Sequence, residues 1–274
     1  MLPWIIVGSV FVLLFLFYIF AVKGRKPSPE TKEFLNWDYA HRGLHSKPFA
    51  PENSLKAFQL AVDNGYGAEL DVHLLKDGTL AVMHDWKLDR TTGQEGLLED
   101  LTLEELKKYR LEGTNEYIPT LQEVLDIFNN KTPLIIELKA YKNNGAALSK
   151  AVYEVMQNYN IKYCIESFDP RCVWWYRRNH KEVIRGSLAM NFFKQTSGFT
   201  RIVDSILTSL IINVLLRPDF VAYKFSDRSN WPFRICTGFW KTQKAAWTIT
   251  DTDDYQTAKE NQFIIIFEDI KPGS

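Results

Sequence analysis

His41, Arg42, Glu69, Asp71 and His84 fall within residues 39–85 of this 274-residue chain and are the types that could do chemistry together. The stretch reads Y-A-H-R-G from Tyr39, P-E-N-S from Pro51, A-E-L-D-V-H from Ala68 and A-V-M-H-D from Ala81. Around Glu69 and Asp71 polar and apolar residues alternate as they do in a strand, which puts both acids on one face and Ala68, Leu70 and Val72 on the other. Two like charges on one strand face pack poorly. They suit a divalent cation, because hard cations take carboxylate oxygens. His41 and His84 bracket the pair, and imidazole titrates near neutrality, so an acid and a base are both at hand.

The order H-R-G, P-E-N, E-x-D, H-D resembles the signature of the glycerophosphodiester phosphodiesterase family. The resemblance runs from about Trp37 to the C-terminus and is most specific over its first fifty or so residues. It implies a metal-dependent hydrolase that releases an alcohol and sn-glycerol 3-phosphate.

The elements that must position these groups can be read in turn. A first strand ends at His41-Arg42. Residues 54–64 have a helical apolar face, with Gly65 at the C-cap. A second strand carries the acids, and Lys76-Asp77-Gly78 marks a hairpin whose returning run, residues 79–83, brings His84 beside them. Capping boxes at Thr102/Glu105 and Thr120/Glu123 open two helical patterns, matching the small insertion of the family, here about residues 86–130. Further apolar runs at 134–136, 163–165, 184–190, 220–225, 245–250 and 263–267 alternate with helical stretches. That makes eight strands, each but the last followed by a helix candidate, and predicts a TIM (β/α)8 barrel. A doubly wound sheet is the alternative, but no Gly-rich phosphate turn follows the first strand.

Catalytic groups of such barrels stand at the C-terminal ends of strands. Glu137 and Lys139 occupy that place on the third strand and share a face. Read by itself, I-I-E-L-K is also compatible with an edge strand carrying a salt bridge. The resemblance makes Glu69, Asp71 and Glu137 the ligands of one divalent cation, Ca²⁺ or Mg²⁺. It makes His41 and His84 the general acid and base, in an order that spacing does not give, and Arg42 and Lys139 the cations that meet the phosphodiester. Glu52 belongs to the motif and is expected near substrate. Asn53 is either part of the site or a helix cap. Trp247 is either an apolar wall for glycerol or core. Glu166 is a further candidate for the cavity, His73 reads as a satisfied structural histidine, and His45 and His180 read as loop or surface. Strand eight departs from the usual T-D-x-P ending with Phe267-Glu268-Asp269-Ile270-Lys271-Pro272.

The whole chain sets the setting. Lys plus Arg equals Asp plus Glu, 33 each, so no global field draws in nucleic acid. The three cysteines lack C-x-x-C spacing, as buried thiols of a reducing compartment do. Residues 3–22 carry no charge and reach about 30 Å as a helix, a bilayer's hydrocarbon thickness. No basic residue precedes the run and no small-x-small site follows it, which favours a single-pass anchor (residues 1–22) over a cleaved signal peptide. Lys23, Arg25 and Lys26 come next, and the positive-inside rule then places the catalytic domain, residues 37–274, in the cytoplasm. Residues 23–36, with Pro27 and Pro29, are expected to form a polar linker. No obligate protein partner is evident. The partners expected are the membrane and a glycerophosphodiester or lysophospholipid. Lysophospholipase D action is the rival activity, and a catalytically idle tethered binding protein is the rival class. Aromatics after strands five and six (Phe192, Phe193 and onward to Phe199; Trp231 and Phe233) are expected either to grip an acyl chain at the mouth or to pack beneath the rim.

Overall fold

The sheet alternates with helices as the eight apolar runs require. The structure is a computed structural model that describes residues 2–194 and 200–272. Its strands are β1 (Asp38–Ala40), β2 (Gly67–Leu74), β3 (Leu80–Val82), β4 (Leu134–Leu138), β5 (Tyr163–Ser167), β6 (Arg185–Ala189), β7 (Phe220–Lys224), β8 (Gln243–Ile249) and β9 (Phe263–Phe267). Eight of them run parallel in the order β1-β9-β8-β7-β6-β5-β4-β2, and a β1–β2 pairing closes the barrel. β3 is the antiparallel return of the hairpin, pairing Val72 with Val82 and His73 with Ala81.

Inward positions change character along each strand. At the N-terminal end the interior is apolar: Tyr39, Ile135, Cys164, Phe220, Ala245 and Ile264 form one buried cluster. Two and four residues further on, the same faces carry His41, Glu137 and Lys139, Glu166, and Glu268. A barrel interior is packed rather than open, so one apolar end and one charged end separate folding from chemistry within one cylinder. Gly186 leaves room for the Phe220 ring, which a Cβ there would strike.

Local signals account for the helices around the barrel. Ser54 caps Leu55–Asp63 by accepting from the Ala57 amide, and Gly65 just past the helix end takes a left-handed φ of 75°, which a side chain would disfavour. Both expected capping boxes form, at Thr102 and Thr120. The second opens Leu121–Phe128, which packs on the helix after β1 through Phe58 and Phe128. It therefore belongs to the barrel's helical layer, and the inserted part ends before it. The insertion has its own small core, including Leu88, Leu98, Leu106 and Ile118.

Residues 23–36 differ from the expected linker. They are folded onto the barrel, with helix Pro29–Glu33 capped by Ser28 and Phe34 buried against Tyr39 at the apolar end. The apolar side chain of Phe34 closes the barrel floor, which an extended linker would leave open to water. The helix Leu2–Ala21 is long and apolar enough to cross a membrane. Its last turn also docks: the Tyr18 hydroxyl donates to Ser209 O, and Trp240 Nε1 donates to Ile19 O.

Candidate active site

Three carboxylates meet at the charged end. Oxygens of Glu69, Asp71 and Glu137 lie within 4.8 Å of one another, and all three residues are buried. Register explains this: β2 pairs with β4 so that Asp71 is level with Glu137, and Glu69 is two residues back on the same face. The neighbours hold these groups from outside. Asn53 donates to Asp71 Oδ2 at 2.9 Å, and the Arg42 amide donates to Glu69 Oε2 at 3.1 Å. Asn53 thus serves the site, and Ser54 does the helix capping. Both Arg42 (φ 53°) and Asn53 (φ 55°) adopt left-handed backbone, an unfavourable conformation that the surrounding bonds maintain.

Cations stand beside the acids. Lys139 Nζ is 3.0 Å from Glu137 Oε1 and 3.2 Å from Asp71 Oδ1, and Arg42 Nε is 3.5 Å from Asp71 Oδ2. Burial pushes the Glu69 carboxyl well up, and Asp71 and Glu137 add to it. Burial, with Asp71, also raises Glu137 against the pull of Lys139. For Asp71 burial acts upward, but Lys139, His84 and Arg42 outweigh it and hold the group well below the usual range. Lys139 is raised despite burial, because Asp71 and Glu137 face its ammonium. The residues present fit a divalent cation. Among the described residues the buried Asp71 Oδ1 has the Lys139 ion pair but no hydrogen bond, and the donor set is three hard oxygens with a shared focus.

Each histidine is fixed through Nδ1. Glu268 Oε2 lies 2.6 Å from His41 Nδ1, and Asp85 Oδ1 lies 2.6 Å from His84 Nδ1. A carboxylate on Nδ1 fixes the ring's orientation and leaves Nε2 for chemistry. His41 Nε2 is 3.9 Å from Glu69 Oε2, toward the acidic cluster. Burial lowers the His41 pKa, with the Glu268 hydrogen bond opposing. Glu268 itself is held low by its bonds to His41 and His45.

The other expected residues sort as follows. Glu52 accepts from Arg42 and from both terminal nitrogens of Arg90, so it orients the arginine. Glu166 is buried, level with Glu137, and burial together with Glu137 pushes its carboxyl well up. Trp247 packs edge-on to Phe168, and its buried indole N–H has no hydrogen-bond partner among the described residues. His73 is satisfied by Glu99 Oε1 at 2.6 Å, and its Nε2 sits 3.3 Å from the His84 carbonyl, tying the insertion to the catalytic loop. His180 stacks on Tyr153 away from the site. His45 lies in a loop as expected, and from there its Nε2 stands 3.4 Å from Glu268 Oε1, because the turn after β1 folds back over the end of β9. Of the aromatics, Phe192 and Phe233 are buried core, Phe193 and Trp231 are exposed, and Phe199 lies outside the described residues.

Sequence reasoning missed Glu268, Asp85 and Arg90 as site residues. Asp85 adjoins His84 and could have been found from the H-D pair. Glu268 is 227 positions from His41 and appeared only as a departure from an expected ending. A cavity of about 590 Å³ opens from His84, Glu137 and Lys139 and continues along Phe168, Val203 and Ile206.

The model of the glycerophosphoryl diester phosphodiesterase family matches residues 41–196. A Bacillus subtilis (strain 168) protein provisionally named a glycerophosphodiester phosphodiesterase is 37% identical over 182 residues, 60% of this chain and 74% of its own. A glycerophosphodiester phosphodiesterase of Caldanaerobacter subterraneus is 41% identical over 142 residues, 47% of this chain and 57% of its own. The match thus spans little more than half of that relative's length. Among solved structures, an Oleispira antarctica phosphodiesterase in complex with the product sn-glycerol-3-phosphate superposes with a TM-score of 0.69 at 25% identity, covering 86% of this chain and 93% of that one.

Proposed function

The chain belongs to the glycerophosphoryl diester phosphodiesterase family, a family of phosphoric diester hydrolases, and on that premise we propose that it cleaves glycerophosphodiesters to an alcohol and sn-glycerol 3-phosphate. The observation that carries this reading is the pair of carboxylate-anchored histidines, His41 with Glu268 and His84 with Asp85, at the mouth that holds the three-acid cluster.

Glu69, Asp71 and Glu137 would hold one divalent cation, Ca²⁺ or Mg²⁺, which when bound supplies positive charge to the phosphodiester oxygens. Arg42 and Lys139 add charge-assisted hydrogen bonds to those oxygens, and Glu52 keeps the Arg42 guanidinium aimed. One histidine takes the proton from the neighbouring glycerol hydroxyl as it attacks phosphorus. The other delivers a proton to the departing alkoxide. The attacking hydroxyl is held on the same substrate, which raises its effective concentration steeply. The cyclic phosphate so formed is then opened by water with the two histidines in exchanged roles. Trp247 is assigned to the glycerol wall.

A second reading, lysophospholipase D action, is favoured by one observation: the cavity runs from His84 and Lys139 onto the apolar side chains of Val203, Ile206 and Leu207, which suit an alkyl chain better than a choline head. We also assign Leu2–Ala21 as a retained single-pass anchor, because its last turn is hydrogen-bonded to the barrel, and we place the domain in the cytoplasm from the basic residues that follow.

The test is product release by the full chain in detergent, on glycerophosphocholine and on lysophosphatidylcholine, with and without EDTA. Glycerol 3-phosphate release that EDTA abolishes and Ca²⁺ or Mg²⁺ restores is the expected result. Turnover indifferent to EDTA would remove the metal from the reading, and no turnover on either substrate would remove the activity.

A further inference from the structure

The way the anchor helix is fastened fixes which end of the barrel meets the bilayer. From Tyr18 to Arg25 its contacts descend the outside of the barrel. The Tyr18 ring lies 4.9 Å from Trp231, which opens the helix after β7 at the catalytic end. Further on, Ile19 O accepts from Trp240 and the Lys23 ammonium lies 4.5 Å over the Trp240 ring, at the far end of that same segment. Gly24 then donates to Thr242 Oγ1, just before β8, and the Arg25 amide donates to Pro218 O, just before β7. Arg25 Nη1 pairs with Asp219 at 2.8 Å. Those last partners precede strand starts, so they mark the floor opposite the mouth.

Followed the other way, the helix climbs from floor to mouth and leaves the barrel on the mouth side. Residues 4–17 are exposed, whereas Ala21 and Val22 are fully buried in the domain. The uncharged run continues to Val22, so its final turns are both apolar enough for the bilayer and already pressed on the barrel. The bilayer boundary therefore reaches the barrel's mouth-side rim. Besides the helix contact at Trp231 (53% exposed), large apolar side chains are exposed in segments after strand ends, Phe193 at 48% and Ile202 at 73%, with Phe49 and Trp86 on other loops that follow strands; Leu215 and Phe239 are exposed nearer the strand starts. Trp and Phe of this kind suit the headgroup layer.

We infer that the catalytic mouth faces the lipid bilayer, with Phe193, Ile202 and Trp231 seated in its interfacial layer, so that the site takes its diester from the membrane surface. The occupant of this rim is the bilayer that the same chain's helix enters. The orientation rests on the anchor assigned above but not on the chemical reading. The apolar cavity wall at Val203 and Ile206 lies on the helix that bears Ile202, so it opens toward lipid.

The test places nitroxide labels on the full chain in phosphatidylcholine nanodiscs. Phe193→Cys and Ile202→Cys report the rim. Lys131→Cys and Glu182→Cys, both exposed and just before β4 and β6, report the floor. The native cysteines are buried. Rim labels should be relaxed by oxygen and shielded from an aqueous nickel complex, and floor labels should show the reverse. Equal nickel access at rim and floor overturns the orientation, as does the opposite pattern. In the same discs Ile202→Glu should lose about tenfold in turnover on lysophosphatidylcholine, the loss expected when one apolar contact with lipid is removed, and keep its turnover on glycerophosphocholine. Equal turnover on both substrates in this variant also counts against the seated rim. Wild-type chain inactive on glycerophosphocholine would sink the chemical reading while the labels still decide the orientation.

Discussion

His41 and His84 each hold one ring nitrogen against a carboxylate, so in the proposed mechanism removing either ring would take away a proton carrier without opening the core. His41→Ala and His84→Ala are expected to lower turnover by about 10²-fold or more, the usual weight of a general acid or base, with circular dichroism unchanged. Near-wild-type turnover in either variant would take that histidine out of the mechanism. Glu268 acts through His41 and is a positioning residue. Its hydrogen bond raises the His41 pKa against the lowering effect of burial. Removing the charge in Glu268→Gln should therefore move whichever limb of the kcat/KM profile His41 governs to lower pH, together with a loss of turnover. A group that only filled space would leave the limb in place, and an upward move would contradict the assigned sign. The acids make a separate prediction. Buried carboxylates this close repel one another, so added Ca²⁺ or Mg²⁺ should raise the Tm of the wild type, and Asp71→Asn should lose most of that rise. No metal-dependent shift over a wide concentration range would argue against the site.

At the scale of elements, the strand register does most of the positioning. β2 and β4 bring Asp71 level with Glu137, and the hairpin β2–β3 returns the chain so that His84 follows directly. The insertion braces that return through His73 and Glu99. The barrel floor depends on a residue outside the strands. Phe34 is buried against Tyr39, so Phe34→Ala should cost about 3–5 kcal/mol, the range for emptying a buried aromatic site. Urea unfolding of the full chain in detergent checks this. A cost near zero would mean that residues 23–36 behave as the loose tether their composition suggests.

For the whole molecule, the chain combines one long apolar helix with a barrel, and its formal charge balances at 33 against 33 over all 274 residues. Two of the basic residues after the helix are engaged with the barrel, Lys23 on Trp240 and Arg25 with Asp219, so the folded domain and the charge rule act on the same few residues. A reporter fused to the C-terminus should be active only if it works in the cytoplasm. Activity confined to the outside would reverse the topology and leave the mouth facing the opposite leaflet.

The motif residues, the eight strands and the apolar helix were legible in the sequence, because each depends on local spacing: acids two apart on a strand, a hairpin of three residues, capping boxes of four, an uncharged run of membrane length. Asn53 and Trp247 stayed ambiguous because a cap and a ligand brace, or a wall and a core residue, use the same residue types. Only the tertiary structure decided that Glu268 bonds His41, that His45 joins it, that Phe34 packs at the floor and that the last turn of the apolar helix docks on the barrel. Those contacts join residues up to 227 positions apart, and barrel closure, which pairs β1 with β9, is what brings them within a hydrogen bond's reach.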